Sequence, residues 1–282
     1  MVVFESTEHL RGHLSSLRKP ETTTGFVPTM GALHDGHLSL VSQSLSENDL
    51  TVVSIFVNPT QFNNPDDLAK YPRTLEADVA KLQQLDTRVI VFAPTVHDIY
   101  KGKTVSHHFD FDGLENEMEG RFRPGHFDGV GTIVKTLFEI VEPTRAYFGE
   151  KDFQQLQIVR KMTEKERLPV EVVGMPVFRE PNGLAMSSRN ERLTEAERKR
   201  SSYIFSALTA AKTLFRTKSA NAVAAEIAAG FQSQEGMELE YFEIADEATL
   251  RPCKRKSKKK RYRAFIAVFV GKVRLIDTIA LN

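Results

Sequence analysis

The sequence predicts an α/β N-terminal domain built on a parallel sheet, followed by a smaller α+β domain. Three observations carry that expectation. Strand-like and helix-like segments alternate through the first part of the chain. The strand-like runs, LTVVSIFV at 50–57 above all, are apolar almost throughout, as in a sheet covered on both faces. After about residue 180 the alternation gives way to two long helical stretches and then three strands.

In order, residues 6–18 have helical spacing and 22–28 read as a short strand. Helix 38–47 leads into strand 50–57, helix 74–85 into strand 88–92, helix 130–141 into strand 145–148, and helix 153–166 into strand 169–173. Strands separated by helices pair in parallel through right-handed crossovers. Helices at 194–216 and 219–233 come next, then strands at 239–245, 262–270 and 272–279. Gly271-Lys272 suits a tight hairpin between the last two. Pro176, Pro181 and Gly183 cluster at 176–184 and mark a boundary, giving domains 1–178 and 179–282.

Composition excludes several classes. Hydrophobic residues make up 41%, enough for a core at this length, and no apolar run reaches the roughly 18 residues that span a bilayer. The N-terminus turns acidic at Glu5, with no basic region before a long apolar one, so no signal peptide is read. Cys253 stands alone, which precludes an internal disulfide and a Cys-based zinc site. The expected location is the cytoplasm, with no membrane partner. The net charge of +1 hides an asymmetry: RPCKRKSKKKRYR at 251–263 holds nine Lys or Arg and no acid, and the rest of the chain has a net of −8. A solvated loop between C-terminal strands is the favoured reading of this segment. The alternative is salt-sensitive nucleic-acid binding.

The chemistry concentrates in two places. PTMGALHDGH at 28–37 leaves a strand and enters a helix. A helix N-terminus exposes unpaired N–H groups and a partial positive charge, and so suits phosphate. Gly31 and Gly36 let a ligand approach the backbone, while His34 and His37 can donate to phosphoryl oxygens. Read without further context, these histidines belong to a polar turn. The second place has two parts. FGEKD at 148–152 repeats the strand-to-helix geometry, with Gly149 for close approach, Lys151 as cation, and Asp152 to cap the helix or bond a ribose hydroxyl. Met186-Ser187-Ser188-Arg189 offers hydroxyls, N–H groups and a guanidinium suited to β- and γ-phosphates, and reads equally as an N-cap turn before the helix at 194.

The His-x-Gly-His form resembles the HIGH signature of the nucleotidylyl-transferase superfamily, which implies a Rossmann-like fold and attack on the α-phosphate of ATP. An ordered set of segments narrows this further: PTMGALHDGH at 28–37, FVNPTQF at 56–62, YPRT at 71–74, RPGHFDGV at 123–130, FGEKDFQQL at 148–156, GLAMSSRNERL at 183–193, YFEIADEATL at 241–250 and VRLIDT at 273–278. Over nearly its whole length the sequence resembles the pantothenate synthetase (pantoate–β-alanine ligase) family. The resemblance implies a ligase that forms pantoyl adenylate from pantoate and ATP and passes the acyl group to β-alanine, with Mg²⁺ accompanying ATP. It also implies a homodimer and a C-terminal lid, with no nucleic-acid partner. The implied catalytic residues are His34, His37, Lys151, Ser187, Ser188 and Arg189. The implied ATP site comprises Met30, Gly31, Ala32, Leu33, His34, Asp35, Gly36 and His37, then Gly149, Glu150, Lys151 and Asp152, and then Phe178 and Met186 to Arg189. Gln61, Gln155, Met30 and Asn58 are the implied substrate residues, and no metal ligand is assigned. Phe178 stands where the family usually has a smaller aliphatic residue near the adenine. Asn58, Tyr71, Arg123 and His126 either line the pocket or serve turns and packing. The nearest rival reading is another adenylyltransferase of the same superfamily.

Overall fold

The computed structural model describes residues 1–63 and 65–282. It divides into two compact units, one formed by Met1–Gly149 with Gln155–Met175 and the other by Glu150–Gln154 with Pro176–Asn282.

The first unit is an α/β layer structure. Its strands are β1 (Val2–Phe4), β2 (Thr24–Thr29), β3 (Leu50–Ile55), β4 (Ile90–Phe92), β5 (Arg145–Gly149) and β6 (Glu171–Met175). Its helices are α1 (Thr7–Leu17), α2 (Asp35–Glu47), α3 (Pro65–Lys70), α4 (Leu75–Leu85), α5 (Val96–Tyr100), α6 (Met118–Phe122) and α7 (His126–Val141), and α8 (Phe153–Lys165) follows β5. All strand pairs are parallel, in the order β1-β4-β3-β2-β5-β6. The chain winds outward from β2 to β3 and β4 on one side, and to β5 and β6 on the other. A topological switch point therefore lies between β2 and β5, where the carboxyl ends of an open α/β sheet form a crevice.

Packing explains the layers. Phe26, Val27, Val52 and Val53 are fully buried in the central strands. Leu40 and Val41 of α2 and Leu82 of α4 join Val27, Val53 and Val91 in one cluster. Helix α7 also buries much of its length, and its Phe138 meets Phe26 and Phe148 edge-on, at 6.2 and 6.5 Å between centroids.

The second unit packs α9 (Glu195–Arg200), α10 (Ser202–Leu214) and α11 (Ala220–Gln232) with the antiparallel sheet β7-β8-β9 (Met237–Asp246, Tyr262–Val270, Val273–Ala280). Ile204, Leu208, Val223, Ile227 and Phe231 of the helices form one core with Ile266, Val268 and Leu275 of the strands.

The expected fold class is the observed one, with instructive differences at the ends of elements. The helix expected at 38–47 begins three residues earlier, because His34 and His37 themselves build its first turn. The strand expected at 88–92 shrinks to Ile90–Phe92, because the Asp86 carboxylate takes both the N–H and the guanidinium of Arg88 and holds a turn there. The single helix expected at 194–216 is two. The Ser201 hydroxyl donates to the Glu197 carbonyl at 2.7 Å, a back-bond that bends helices at serine. Strand β1 and the short helices α3, α5 and α6 escaped the periodicity reading, being too short to display a period.

Candidate active site

In the first unit the loop after β2 turns sharply. Gly31 has φ +83° and Ala32 has φ 49°. The left-handed conformation costs a non-glycine residue about 1–2 kcal/mol, so something must hold Ala32 there. Asp78 of α4 does so. Its buried carboxylate accepts the N–H of Ala32 at 2.9 Å, the N–H of Leu33 at 2.7 Å and the Thr74 hydroxyl at 3.1 Å. One turn further along α4, the Lys81 ammonium donates to the Leu33 carbonyl at 2.5 Å. Thr29, at the end of β2, accepts the Gly31 N–H at 3.2 Å through its hydroxyl. Sequence reasoning missed Asp78 and Lys81, since an acid in the first turn of a helix ordinarily faces solvent and answers the dipole.

The loop delivers His34 to the N-cap of α2 and His37 to its third position. The His37 Nδ1 accepts the His34 N–H at 3.3 Å. The proton of a neutral His37 ring therefore sits on Nε2, which makes that atom a donor. The two rings stack with centroids 4.0 Å apart. Asp35 and Gly36 complete the first turn, and the Gly36 carbonyl accepts the Ser39 hydroxyl.

Beside Met30 lies a partly buried amide network. Gln61 Nε2 donates to the Met30 sulfur at 2.9 Å, and Gln61 Oε1 accepts from Asn58 Nδ2 at 3.1 Å. The Gln61 carbonyl is held by Arg123 at 3.0 Å and by His126 Nδ1 at 2.8 Å. Asn58, Arg123 and His126 thus support Gln61, whereas Tyr71 packs edge-on against Phe62. Gln155 lies half-buried on α8.

Gly149 ends the first segment of the first unit, and the second unit holds Glu150, Lys151, Asp152, Phe178 and Met186 to Arg189. A single 3-10 turn, Glu150–Asp152, joins β5 to α8 and fills the gap expected between the strand at 145–148 and the helix at 153–166. Lys151 Nζ lies 3.5 Å from the Asp152 carboxylate. Glu150 is anchored by Arg263 at 3.0 Å, and Arg263 also bonds Glu247 at 2.9 Å and stacks over the Phe153 ring. Arg263 is only 5% exposed, so this ninth cation of 251–263 is structural and no part of a solvated surface. In the same segment Lys260 pairs with Asp246, and Lys256 donates to the Phe215 carbonyl.

Ser187 caps a 3-10 turn over Ser188–Arg192 by accepting the Arg189 N–H at 3.3 Å. The helix that follows has its own cap in Thr194 and Glu197, so the Met186–Arg189 stretch is not that helix's cap. Asn190, buried, ties the turn to Glu180 and to the Ala185 carbonyl. Phe178 accepts the Met186 N–H at its carbonyl, while its ring is 42% exposed. The adjacent Arg179 makes a bidentate pair with Asp277 at 2.6 and 3.0 Å. Burial raises the Asp277 carboxyl pKa against the opposing pull of Arg179. Arg179 and Arg263 are further residues that no family segment contained, while Asp277 lies within VRLIDT without a role assigned to it.

Among the described residues, no group of three or more His, Cys, Asp or Glu is placed to hold a metal ion. No described helix is long and apolar enough to cross a membrane. A surface depression of about 430 Å³ near Arg160, Arg167 and Val172 contains none of the candidate residues.

Comparison with known proteins gives a consistent result. The family model described as pantoate-beta-alanine ligase matches residues 2–280. The chain is 61% identical over 282 residues to a pantothenate synthetase of Flavobacterium psychrophilum, covering all of both chains. It is 46% identical over 279 residues to one of Bacteroides thetaiotaomicron, covering 99% of this chain and 98% of the relative. Among solved structures, the pantothenate synthetase of Thermus thermophilus superposes with a TM-score of 0.91 at 38% identity, covering 100% of this chain and 99% of the other. The pantoate-beta-alanine ligase of Francisella tularensis, complexed with beta-gamma ATP and beta-alanine, gives 0.83 at 34%, with 100% and 98% covered.

Proposed function

The chain belongs to the pantoate-beta-alanine ligase family, and from that premise we propose that it joins pantoate to β-alanine in two ATP-driven half-reactions. In the first, a pantoate carboxylate oxygen attacks the α-phosphorus of ATP, the bond to the pyrophosphate oxygen breaks, and pantoyl adenylate forms. In the second, the neutral amine of β-alanine attacks the acyl carbon, AMP departs with the carbon–oxygen bonding pair, and the amine loses a proton to solvent. No covalent enzyme intermediate is required, because the adenylate already carries a good leaving group and positioning supplies the rest.

The residue roles follow from the chemistry each group can supply. The N-terminus of α2, with Met30, Gly31, Ala32, Leu33, Asp35 and Gly36 before and within its first turn, receives the α-phosphate. His34 and His37 donate to the oxygens whose charge grows during attack. Lys151, with the backbone at Gly149 and Glu150, and Met186, Ser187, Ser188 and Arg189 hold the β- and γ-phosphates and then pyrophosphate, while Asp152 caps the helix or bonds a ribose hydroxyl. A Cβ built at Gly149 meets nothing within 4 Å, so the chain's own packing does not require glycine there. Adenine recognition falls to the main chain at Phe178. Gln61 and Gln155 bind oxygens of pantoate, with Met30 and Asn58 beside them. Magnesium enters with the triphosphate as part of the substrate, its ligands being mainly phosphate oxygens and water.

One observation carries the reading. Met30 opens the loop that ends in the stacked histidines, and Met30 is also what the Gln61 amide touches. The amide for the acid, on the turn after β3, therefore touches the loop after β2 that carries the donors for phosphate. A cytoplasmic homodimer without a nucleic-acid partner completes the proposal. Purified protein should catalyse pantoate-dependent exchange of pyrophosphate into ATP without β-alanine, and should release AMP and pantothenate only when β-alanine is added. Absence of pantoate-dependent exchange would overturn the reading.

A further inference from the structure

We propose that Tyr100, at the end of α5, is a positioning residue that fixes which end of the Gln61 amide meets the acid substrate; this rests on the reading that Gln61 binds pantoate. Asn58 is 1% exposed and makes bonds at both ends of its amide. Its Nδ2 donates to Gln61 Oε1 and to the Gly129 carbonyl, each at 3.1 Å. A carbonyl can only accept, so the Asn58 end that faces Gly129 is the nitrogen, and the Tyr100 hydroxyl holds the other end as the oxygen. The opposite end, Oδ1, then accepts the Tyr100 hydroxyl at 2.5 Å, and Thr60 Oγ1 lies 3.1 Å from it. The hydroxyls of Tyr100 and Thr60 also touch each other, at 2.9 Å. Burial raises the Tyr100 pKa, which keeps the phenol a neutral donor.

The consequence passes down the chain. Because Asn58 presents N–H, the Gln61 atom it meets is oxygen, and the Gln61 nitrogen is turned toward Met30. A flipped Gln61 would set two amide nitrogens against each other. The donor series therefore runs in one direction, from Tyr100 through Asn58 and Gln61 to the Met30 sulfur, over distances of 2.5, 3.1 and 2.9 Å. It ends on the weakest acceptor in the series, a thioether. A carboxylate or hydroxyl oxygen offered by substrate is a far better acceptor, so Gln61 can exchange sulfur for substrate at little cost. Tyr100 thus prepares a donor for an oxygen-bearing acid without touching that acid itself.

The test compares three proteins. Tyr100→Phe removes one hydroxyl and leaves the ring to pack. It should raise KM for pantoate about tenfold by removing the shorter of the two hydroxyl contacts at Asn58 Oδ1, with kcat and KM for ATP within about twofold of wild type. Gln61→Ala should raise the same KM at least as much. Tyr100→Phe added to Gln61→Ala should then have no further effect on KM, since the two act in one series. If Gln61→Ala raises KM for pantoate but Tyr100→Phe only lowers the melting temperature, the positioning role is wrong and the reading of Gln61 stands. If Gln61→Ala leaves KM for pantoate unchanged, the reading of Gln61 fails and takes the positioning role with it. Equal, additive effects of the two substitutions would also overturn the series.

Discussion

At the scale of single residues, the candidate site depends on side chains that no motif contains. Asp78 is the clearest case. It accepts two loop N–H groups and a hydroxyl, and it holds Ala32 in a conformation that alanine disfavours. Removing it releases the loop that carries His34 and His37. Asp78→Ala should reduce pantoate-dependent pyrophosphate exchange by about 100-fold, the usual penalty for misplacing a reacting group by an ångström, while Asp78→Asn, which keeps one acceptor oxygen, should lose less. Exchange rates set beside melting temperatures check this, and a lowered melting temperature with unchanged exchange would reduce Asp78 to a stabilising residue. Arg263 acts by a similar logic in the second unit. Its guanidinium bridges Glu150 and Glu247 and covers Phe153, so the turn bearing Lys151 is tied to β8.

At the scale of elements, close approach matters more than propensity. The 3-10 turn Pro59–Gln61 rests directly on α7 at Gly129. A Cβ there would stand 2.4 Å from the Thr60 carbonyl oxygen and 2.9 Å from Gln61 Cα, both backbone atoms that cannot swing aside. Gly129→Ala should therefore destabilise the protein by about 1–3 kcal/mol, the range for overpacking, and should raise KM for pantoate because Gln61 is displaced. Denaturant melts and pantoate titrations read the two effects separately, and an unchanged melt would contradict the crowding. The same scale explains the helix starts. His34 and His37 cap α2 from within the motif itself, so the segment proposed to receive phosphate also begins the helix.

For the whole molecule, charge is segregated in a way that composition hides. The net of +1 combines an acidic body with one basic segment, and Arg263 of that segment is internal. What remains exposed, Lys258 and Lys259 among it, lies in the connection between β7 and β8. Exposed charges on such a loop contribute mostly through screened, long-range fields. Lys258→Ser with Lys259→Ser, sparing Lys260 and its pair with Asp246, should leave kcat unchanged. Any rise in KM for ATP at low salt should vanish near 0.5 M, beyond the reach of such fields. A large loss of kcat would assign the segment a direct part in turnover.

The sequence by itself determined what depends on near neighbours: alternating elements, the strand-to-helix turn at 28–37, the serine-rich turn at 186–189, and the ordered segments that mark the family. Periodicity and helix-end chemistry are local, so they can be read along the chain. Tertiary structure alone decided which ordinary-looking polar residues turn inward. Asp78 bonds Ala32 across 46 positions, Tyr100 bonds Asn58 across 42, and Arg263 bonds Glu150 across 113. An aspartate in a first helical turn, a tyrosine at a helix end and an arginine in a basic run each have an adequate surface explanation in sequence. Only the fold brings their partners close enough for burial to make those hydrogen bonds obligatory.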